Sequence, residues 1–486
     1  MALQLNQELQ NKYPHLEISV LKYSDAMKDN DSKRIDSEFF KKDILTMEKN
    51  ILKIGYKYFS EFIETLTDYT ANGSFASLNT NVILYDNENF AKWIRIKDLE
   101  ANNFDNCRYV DEKGYNFLKK SSLFGGELLI SKTGEYLGKA FIVPKMDCLM
   151  TLADNIFLIK LKNISNEFLY VYINSKIGQN FISKLSQGAA QPTIIKDSLR
   201  KIKIPLFPLS FQQEIEEMVK TSHACLEQSK GLYREAEVLL YRELGLDPEN
   251  PLASIETHSG SLNISVRPLS QSLNATGRLD SEYYQQKYDE IEKVIKNYRG
   301  GYCKLKDIVV NRSGGFAFSS DSYLENGKLA LIRINNIKNA SLDLQNIVYL
   351  PDDAELLSPK DKICKNDILI SMSGSIGLCC VIREEINAMV NQRILKISVS
   401  KFEENVLCLI INSICCKLQL QRIGTGGVQT NISGDDILNI LIPKINPQTQ
   451  TQIAEKIKQS FTLRKQANEL LQQAKSKVET AIVQAA

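Results

Sequence analysis

The sequence is poor in the residues on which many enzymes and exported proteins depend. It has only three histidines among 486 residues, at positions 15, 223 and 258, which nearly excludes a histidine-rich metal site. With 24 glycines, 12 prolines and 43% hydrophobic residues, it is neither disordered nor collagen-like. No apolar stretch reaches the ~18 residues of a membrane span, and residues 1–17 lack the basic segment and apolar block of a secretory signal. We expect a globular cytoplasmic protein with no membrane partner.

Cysteine usage and charge agree with that expectation but do not identify a partner. The ten cysteines show no CxxC spacing, so we predict reduced thiols that serve mostly as small core residues. The 60 basic and 58 acidic side chains give a net charge of +2. Bulk charge therefore does not hold this chain on nucleic acid, although a locally basic face can still neutralise phosphates.

The two halves of the chain repeat each other. Ordered motifs return at an offset of 244–246 residues near the start of the repeat and 238 residues near its end. The matched segments are 16–20 with 262–266, 34–40 with 278–284, 73–76 with 314–317, 93–99 with 331–337, 127–134 with 367–374, 188–194 with 426–432, and 202–205 with 440–443. The repeated unit is a whole domain, which indicates a tandem duplication.

A helix is predicted near the start of each half, because apolar residues recur there at steps of four and three. The residues are Phe40, Ile44, Met47 and Ile51 in the first half and Tyr284, Tyr288, Ile291 and Ile295 in the second. By contrast, residues 99–125 have no convincing counterpart in 339–366. This divergence favours two modules of one kind with different ligands; drift after duplication is the alternative.

Each half closes with a long amphipathic segment, beginning near Phe211 and Thr449. Apolar or small residues alternate at steps of three and four, which predicts a paired coiled coil rather than two ordinary core helices. The apolar seam positions that we single out are Ile215, Met218, Leu232, Leu239, Ile453, Ile457, Leu471 and Val478. Serine, alanine and one arginine occupy other seam positions, so we expect the two helices to pair with each other, antiparallel. Gly245 and the following prolines end the first helix and open a linker.

A search for catalytic motifs finds none. Residues 134–140 are one residue short of a phosphate-binding loop and lack its hydroxyl, and no GxGxxG follows a strand. The [DNS]PP[YFW] tetrapeptide of amino-methyltransferases is also missing. The three histidines are not clustered, which disfavours a Cys–His or Ser–His nucleophile pair.

Two sets of polar loops remain as candidates for binding DNA. Hydroxyls and backbone amides after strands suit phosphates, and Gln and Asn can pair with adenine edges. The candidate residues are Ser131, Lys132, Thr133, Gln191 and Thr193 in the first half and Ser371, Ser373, Gln429, Thr430 and Asn431 in the second. Solvated turn tips are the alternative interpretation for each of them.

The doubled arrangement resembles the specificity (S) subunit of type I restriction–modification systems. The resemblance rests on the RxDSE[FY][FY] segments, the Ile-Arg-Ile strands at 94–96 and 332–334, the [ED]xLIS turns, and the IxIP-type strands that precede the long helices. It covers essentially the whole chain. It implies an α+β fold of two tandem pseudo-repeated α/β target-recognition domains, separated by two long helices that form an antiparallel coiled coil.

The resemblance also implies a division of labour. Each target-recognition domain would read one half of a split double-stranded DNA target, while the paired helices would set the half-site spacing and dock the modification (methyltransferase) subunits. Neither a catalytic centre nor a cofactor or metal site is expected in this chain. S-adenosylmethionine, ATP and Mg would belong to the modification subunits and the restriction (translocase and nuclease) subunits, in a bacterial or archaeal cytoplasm.

We predict the domain boundaries from these patterns. Module 1 covers residues 1–210 with a helical segment at about 36–54, and module 2 covers residues 263–448 with a helical segment at about 280–297. Between them lie a central helix at 211–245 and a linker at 246–262, and a C-terminal helix occupies 449–486. Each early helical segment could pack on its module, extend the spacer or touch a modification subunit.

Three alternatives have different consequences. The chain could be a DNA-binding or adaptor scaffold of another defence system, which neighbouring genes would reveal. It could be a fused enzyme fragment, against which the near-complete duplication argues. It could be a coiled-coil interaction scaffold that binds no DNA, in which case exchanging residues 99–125 would change no sequence preference.

Overall fold

The structure is a computed structural model, and it describes residues 2–28, 30, 33–188, 191–256, 266–270, 272, 277–424 and 431–484. The chain divides into two compact units. Unit 1 comprises Met1–Leu226 and Lys465–Ala486, and unit 2 comprises Glu227–Arg464. Each unit thus contains one module together with part of each long helix.

The elements from the N-terminus through the first long helix are as follows. The helices are α1 (Ala2–Lys12), α2 (Tyr23–Met27), α3 (Lys42–Ile54), α4 (Phe59–Phe62), α5 (Phe75–Asn81), α6 (Ile96–Ala101), α7 (Glu112–Phe117), α8 (Asn166–Asn174), α9 (Lys176–Leu185), α10 (Lys196–Arg200) and α11 (Leu209–Glu243). The strands are β1 (Tyr56–Tyr58), β2 (Ile63–Asp68), β3 (Leu84–Tyr85), β4 (Ala91–Ile94), β5 (Arg108–Val110), β6 (Ser122–Leu123), β7 (Leu128–Ser131), β8 (Ala140–Ile142), β9 (Met150–Leu152), β10 (Ile156–Leu161) and β11 (Lys203–Pro205).

The remaining elements follow the first long helix, and α12 lies within the predicted linker. The helices are α12 (Ala253–Glu256), α13 (Gln286–Lys296), α14 (Glu404–Asn412), α15 (Ile414–Ile423), α16 (Gly434–Leu438) and α17 (Pro447–Gln484). The strands are β12 (Tyr302–Lys304), β13 (Val309–Ser313), β14 (Leu329–Ile332), β15 (Ile337–Lys338), β16 (Ser341–Leu342), β17 (Val348–Leu350), β18 (Ile368–Ser371), β19 (Cys379–Val381), β20 (Ala388–Val390), β21 (Ile394–Val399) and β22 (Leu441–Pro443).

The two modules share one sheet topology, which confirms the predicted duplication and fold class. A four-stranded antiparallel sheet has the order β2-β10-β7-β8 in module 1 and β13-β21-β18-β19 in module 2. A second sheet contains a parallel pair, β4 with β9 and β14 with β20. A small sheet, β1-β11 or β12-β22, pairs the start of each module with the strand before its long helix.

Strand alternation explains why these sheets stack in layers. In β7, Leu128 and Ile130 join the core shared with helices α8 and α9, whereas Leu129 joins the core shared with the second sheet. In β18, Ile368 and Ile370 face the helical side and Leu369 faces the other core. Successive side chains of a strand point to opposite faces, so a fully apolar strand is buried between two layers.

The segments 99–125 and 339–366, which sequence comparison leaves unmatched, share one strand. β5 pairs antiparallel with β4, and β17 pairs antiparallel with β14 at the same edge. Around that strand the modules differ: module 1 adds helix α7 and strands β3 and β6, whereas module 2 adds the β15–β16 hairpin. The two modules therefore differ in the segments that connect the shared strands.

The early helical segments pack on their own modules. Helix α3 lies against α9 and β11, and α13 lies against α15 and β22. Ile44 and Ile51 are buried in α3, as are Tyr288, Ile291 and Ile295 in α13. Both helices begin about six residues later than predicted, because the carboxylates of Asp36 and Asp280 accept backbone N–H bonds from Phe39 and Tyr283 and hold a turn there.

All ten cysteines lie among the described residues, and all are free thiols. Among those same residues no single helix is long and apolar enough to cross a membrane, and one bent pair, Glu404–Asn412 with Ile414–Ile423, passes a test of length and composition only.

Candidate nucleic-acid interface

In each module the two candidate segments meet at a β-bridge, which we call the joint. In module 1 the turn after β7 forms a bridge between Thr133 and Thr193, and the Thr193 hydroxyl donates to Thr133 Oγ1 at 3.2 Å. In module 2 the turn after β18 forms the equivalent bridge between Ser373 and Asn431. The fold thus brings together turn and loop residues that are about 60 positions apart in sequence.

Several candidates in this joint are buried and already hydrogen-bonded. Ser131 is fully buried and donates to the carbonyl of Thr133 at 3.3 Å. Ser371, 1% exposed, donates to the carbonyl of Ser375 at 2.6 Å and accepts from the Leu378 amide. These two hydroxyls shape the turns, whereas Gln191 is exposed beside the Thr133–Thr193 bridge. Gln429 and Thr430 lie outside the described residues.

Lys132 belongs to an ion cluster that sequence analysis missed. Its ammonium lies 2.9 Å from Asp68 Oδ2 and 5.1 Å from the ring centre of Phe157, and Lys196 lies 3.0 Å from Asp68 Oδ1. Burial alone would raise the pKa of Asp68, but hydrogen bonds from the two ammonium groups outweigh it and hold that pKa below its usual value. The cluster carries a net positive charge, and the partly exposed Lys196 brings that charge to the surface beside the loop.

Two buried thiols of the modules, Cys107 and Cys415, have raised pKa values. Burial raises the pKa of the Cys107 and Cys415 thiols to about 11, so both stay protonated at neutral pH. Within the described ranges, no group of three or more His, Cys, Asp or Glu side chains could hold a metal ion.

The long helices pair antiparallel inside each unit. In unit 1 the Ser222 hydroxyl donates to the Ala467 carbonyl at 2.8 Å, and Glu214 pairs with Lys477 further along. In unit 2 the Ser229 and Ser460 hydroxyls are 2.9 Å apart, and Glu235 pairs with Lys456. Within each unit, contact positions fall along one helix as they rise along the other, which defines the antiparallel direction.

On α17 the predicted seam residues are buried or pack against the unit cores, whereas on α11 Met218 and Leu239 are less buried than their neighbours Val219 and Leu240. Ile215, Ile453, Ile457 and Val478 are buried in the unit cores. Met218, Leu239 and Leu471 are partly buried and pack against those cores, and Leu232 is half-buried. Val219 and Leu240, which the prediction passed over, are fully buried.

Comparison with known proteins now adds a family to this geometry. A family model described as the type I restriction modification DNA specificity domain matches residues 76–238 and 301–479. The chain belongs to that family. Each matched range contains most of one module's strands and much of the long helix that follows it, and in module 1 the strands β1 and β2 lie before the matched range.

Individual relatives are distant. The type I restriction enzyme MjaVIII specificity subunit of Methanocaldococcus jannaschii is 22% identical over 362 residues, covering 72% of this chain and 77% of that protein. The EcoBI specificity subunit of Escherichia coli is 23% identical over 164 residues, covering 32% of this chain and 34% of that protein. A solved S subunit from M. genitalium aligns at 12% identity with a TM-score of 0.40, over 89% of this chain and 95% of that one.

Proposed function

We propose that this chain is the DNA sequence-specificity subunit of a type I restriction–modification complex, and that each module reads one half of a two-part DNA target. The observation that carries the proposal is the doubled module: two copies of one sheet topology, each largely within a range matched by the DNA specificity domain. A protein with two similar readers in one chain binds a split site as a single unit, because the second contact becomes intramolecular.

The two modules should read different half-sites. The strands that the two modules share pair in the same order, but the connections around β5 and β17 differ, and Lys132 stands where module 2 has Met372. Sequence is read through side chains and groove shape, so different loops on one scaffold give different preferences. Gln191, Thr133, Thr193 and Asn431 remain proposed DNA contacts of these loops.

The paired helices are proposed to set the distance between half-sites and to dock the modification subunits. At about 1.5 Å per residue, α11 and α17 are each about 50–60 Å long. Their antiparallel pairing, with hydroxyl contacts buried in the seam, fixes a register that a spacer requires.

Methyl transfer and DNA cleavage are proposed to occur on partner subunits. In this scheme S-adenosylmethionine, ATP and Mg bind the modification and restriction subunits, and this chain supplies sequence selection in the cytoplasm.

Co-expression with the adjacent methyltransferase subunit tests the proposal. Methylated adenines mapped by single-molecule sequencing should define a two-part motif with a fixed gap. Removing one heptad from each long helix should shorten that gap by about 3 base pairs, since a heptad spans about 10 Å. A stable complex with a competent methyltransferase that methylates no such motif would contradict the proposal and favour a scaffold role.

A further inference from the structure

The repeated RxD motif forms the same contact in both modules. In module 1, Arg34 binds Asp36 through Nε and Nη2 at 2.7 and 2.8 Å, and its Nη1 donates to the carbonyls of Lys184 and Ser186 at 3.1 and 3.4 Å. Those carbonyls end helix α9. The last carbonyls of a helix have no partner within it and favour a cation, so the arginine caps the helix C-terminus.

Module 2 repeats this cap at matched positions. Arg278 binds Asp280 at 2.7 and 2.9 Å, and its Nη1 donates to the carbonyl of Arg422 at 3.1 Å in the last turn of α15. The carbonyls of Ile423 and Gly424 accept from the same nitrogen at 3.4 and 3.5 Å. Two guanidinium nitrogens thus bind the carboxylate while the third donates to the helix end. This arrangement uses the planar geometry that distinguishes arginine from lysine.

An aromatic ring between two cations completes each cap. Phe39 lies 5.2 Å from Arg34 and 4.6 Å from Lys184, measured to its ring centre. Tyr283 lies 4.6 Å from Arg278 and 4.8 Å from Arg422. The second cation is then neutralised from the early helix: Lys184 by Glu48 and Arg422 by Glu292, each at 3.0 Å.

We call these groups the latches. Latch 1 consists of Arg34, Asp36, Phe39, Glu48 and Lys184, and latch 2 consists of Arg278, Asp280, Tyr283, Glu292 and Arg422. The two arginine motifs precede residues 76–238 and 301–479, so they lie outside the segments that match the family.

Each latch holds the start of a candidate reading loop. After α9 the chain enters residues 187–193, and the amides and carbonyls of Gln187 and Thr193 pair at 2.8 Å in both directions. The far end is tied to the turn after β7, where the Ile194 amide donates to the Lys132 carbonyl at 3.0 Å. In module 2 the Ile432 amide donates to the Met372 carbonyl at 3.0 Å. The described residues that flank the candidate loops are thus tied to the sheet on one side and to the latched helix on the other.

We propose that Arg34 and Arg278 are positioning residues, each of which holds the helix end from which the candidate loop of its own module departs and so sharpens recognition of one half-site. This assignment rests on the proposed function for the half-site effect, but loop positioning itself is independent of DNA. The latches act locally because every contact of a latch lies within one unit.

Hydrogen exchange on the full chain tests loop positioning directly. In Arg34→Gln, the amides of Gln187, Thr193 and Ile194 should exchange about tenfold faster, the factor expected for losing one charge-assisted hydrogen bond. The Ile432 amide should be unchanged, and Arg278→Gln should give the mirror result. The matched control is the double variant Phe39→Tyr with Lys184→Arg, which installs the latch 2 residues in module 1 and should leave exchange as in the parent chain.

Methylation mapping of the same variants in the co-expressed complex supplies the second readout. Arg34→Gln should relax sequence preference in one half of the motif and Arg278→Gln in the other half. The proposal is overturned if the exchange rates of these amides do not change, or if exchange rises equally across α9 and the sheet. It is also overturned if these amides exchange faster while the sequence preference in both halves of the motif is unchanged. A parent chain that methylates no two-part motif counts against the proposed function instead, and exchange alone then decides whether the latches hold the loops.

Discussion

The joint beneath the candidate loop has a different composition in the two modules. In module 1 it holds the ion cluster of Asp68, Lys132 and Lys196. In module 2 Met372 stands at the position of Lys132, and Gly434 begins α16 where Lys196 begins α10. The register of β13 with β21 places Gly314, one residue beyond the Ser313–Lys396 pair, at the position of Asp68, so the sequence match of Gly314 with Gly73 is wrong by five residues.

In module 2, apolar side chains occupy the place that the ion cluster has in module 1. Met372 is 8% exposed and shares a core with Leu395, and a Cβ added to Gly434 would lie 3.4 Å from Leu395. Replacing a buried ion pair by apolar groups of similar volume is often neutral for stability, while removing one partner is costly. The modules thus differ at all three positions, and so they differ in charge beside the Thr133–Thr193 and Ser373–Asn431 bridges.

The largest expected effect comes from removing the carboxylate of module 1. Asp68→Ala leaves two ammonium groups without their counter-ion and removes the acceptor of the Ala71 amide, so we expect a loss of about 3 kcal/mol in the free energy of unfolding of this module. Trp93, the only tryptophan of the chain, lies in β4 of module 1 and reports its unfolding by fluorescence in urea. The control is Asp86→Ala, an exposed ion pair with Arg108, for which little change is expected. Equal losses for both variants would sink the idea of a buried cluster.

Acid should weaken the same cluster. Because the pKa of Asp68 is held below its ordinary value in the folded chain, its contribution to stability is full above the unfolded pKa of about 3.9 and is lost as the pH falls through the folded pKa. The stability difference between the parent chain and Asp68→Asn, followed by Trp93 fluorescence, should therefore be constant near neutral pH and shrink below about pH 4. A difference that grows on acidification would have the wrong sign for this account.

The helix seams differ in a milder way. In unit 2 the Ser460 hydroxyl donates to the Ser229 carbonyl at 2.7 Å and also lies 2.9 Å from the Ser229 hydroxyl, whereas in unit 1 the Ser222 hydroxyl donates to the Ala467 carbonyl. Ser460→Ala should lower the free energy of unfolding by about 1 kcal/mol because Ser229 loses its buried partner, and Ser222→Ala should cost less. The double variant Ser229→Ala with Ser460→Ala should recover part of the loss. Thermal unfolding of the full chain measures all three, and a double variant worse than the sum of its singles would refute the paired-hydroxyl account.

The smallest effect is expected for Lys132→Met, which installs the module 2 residue in module 1. Asp68 keeps Lys196 and its backbone donor, and methionine fills the apolar part of the site, so we expect a loss below about 1 kcal/mol. Urea unfolding followed by Trp93 checks this. A loss as large as that of Asp68→Ala would mean that Lys132, rather than the carboxylate, organises the cluster.

Local patterns predicted the repeated elements well. Steps of three and four identified the buried residues of α3 and α13, and ordered motif matching identified two copies of one topology. On α11 the pattern could not distinguish Met218 from Val219 or Leu239 from Leu240, because neighbouring apolar residues satisfy the same spacing. The partner helix decides which one is buried.

Contacts between distant segments were beyond the reach of sequence patterns. Asp68 and Lys132 are 64 positions apart, and Arg34 meets the Lys184 carbonyl across 150 positions. Lys132 was predicted as a DNA contact for its charge, and only the fold reveals the carboxylate that faces it. The arginine motif was visible as a repeat, but its role depends on a helix end that no local pattern connects to it.

Exchange of the module 1 connections tests the central claim most directly. Residues 99–125 would be replaced by the corresponding connections of a related specificity subunit, and methylated adenines would be mapped in the co-expressed complex. The account predicts that one half of the motif changes while the other half and the gap length stay the same. An unchanged motif, or changes in both halves, would contradict the claim that each module reads its own half-site.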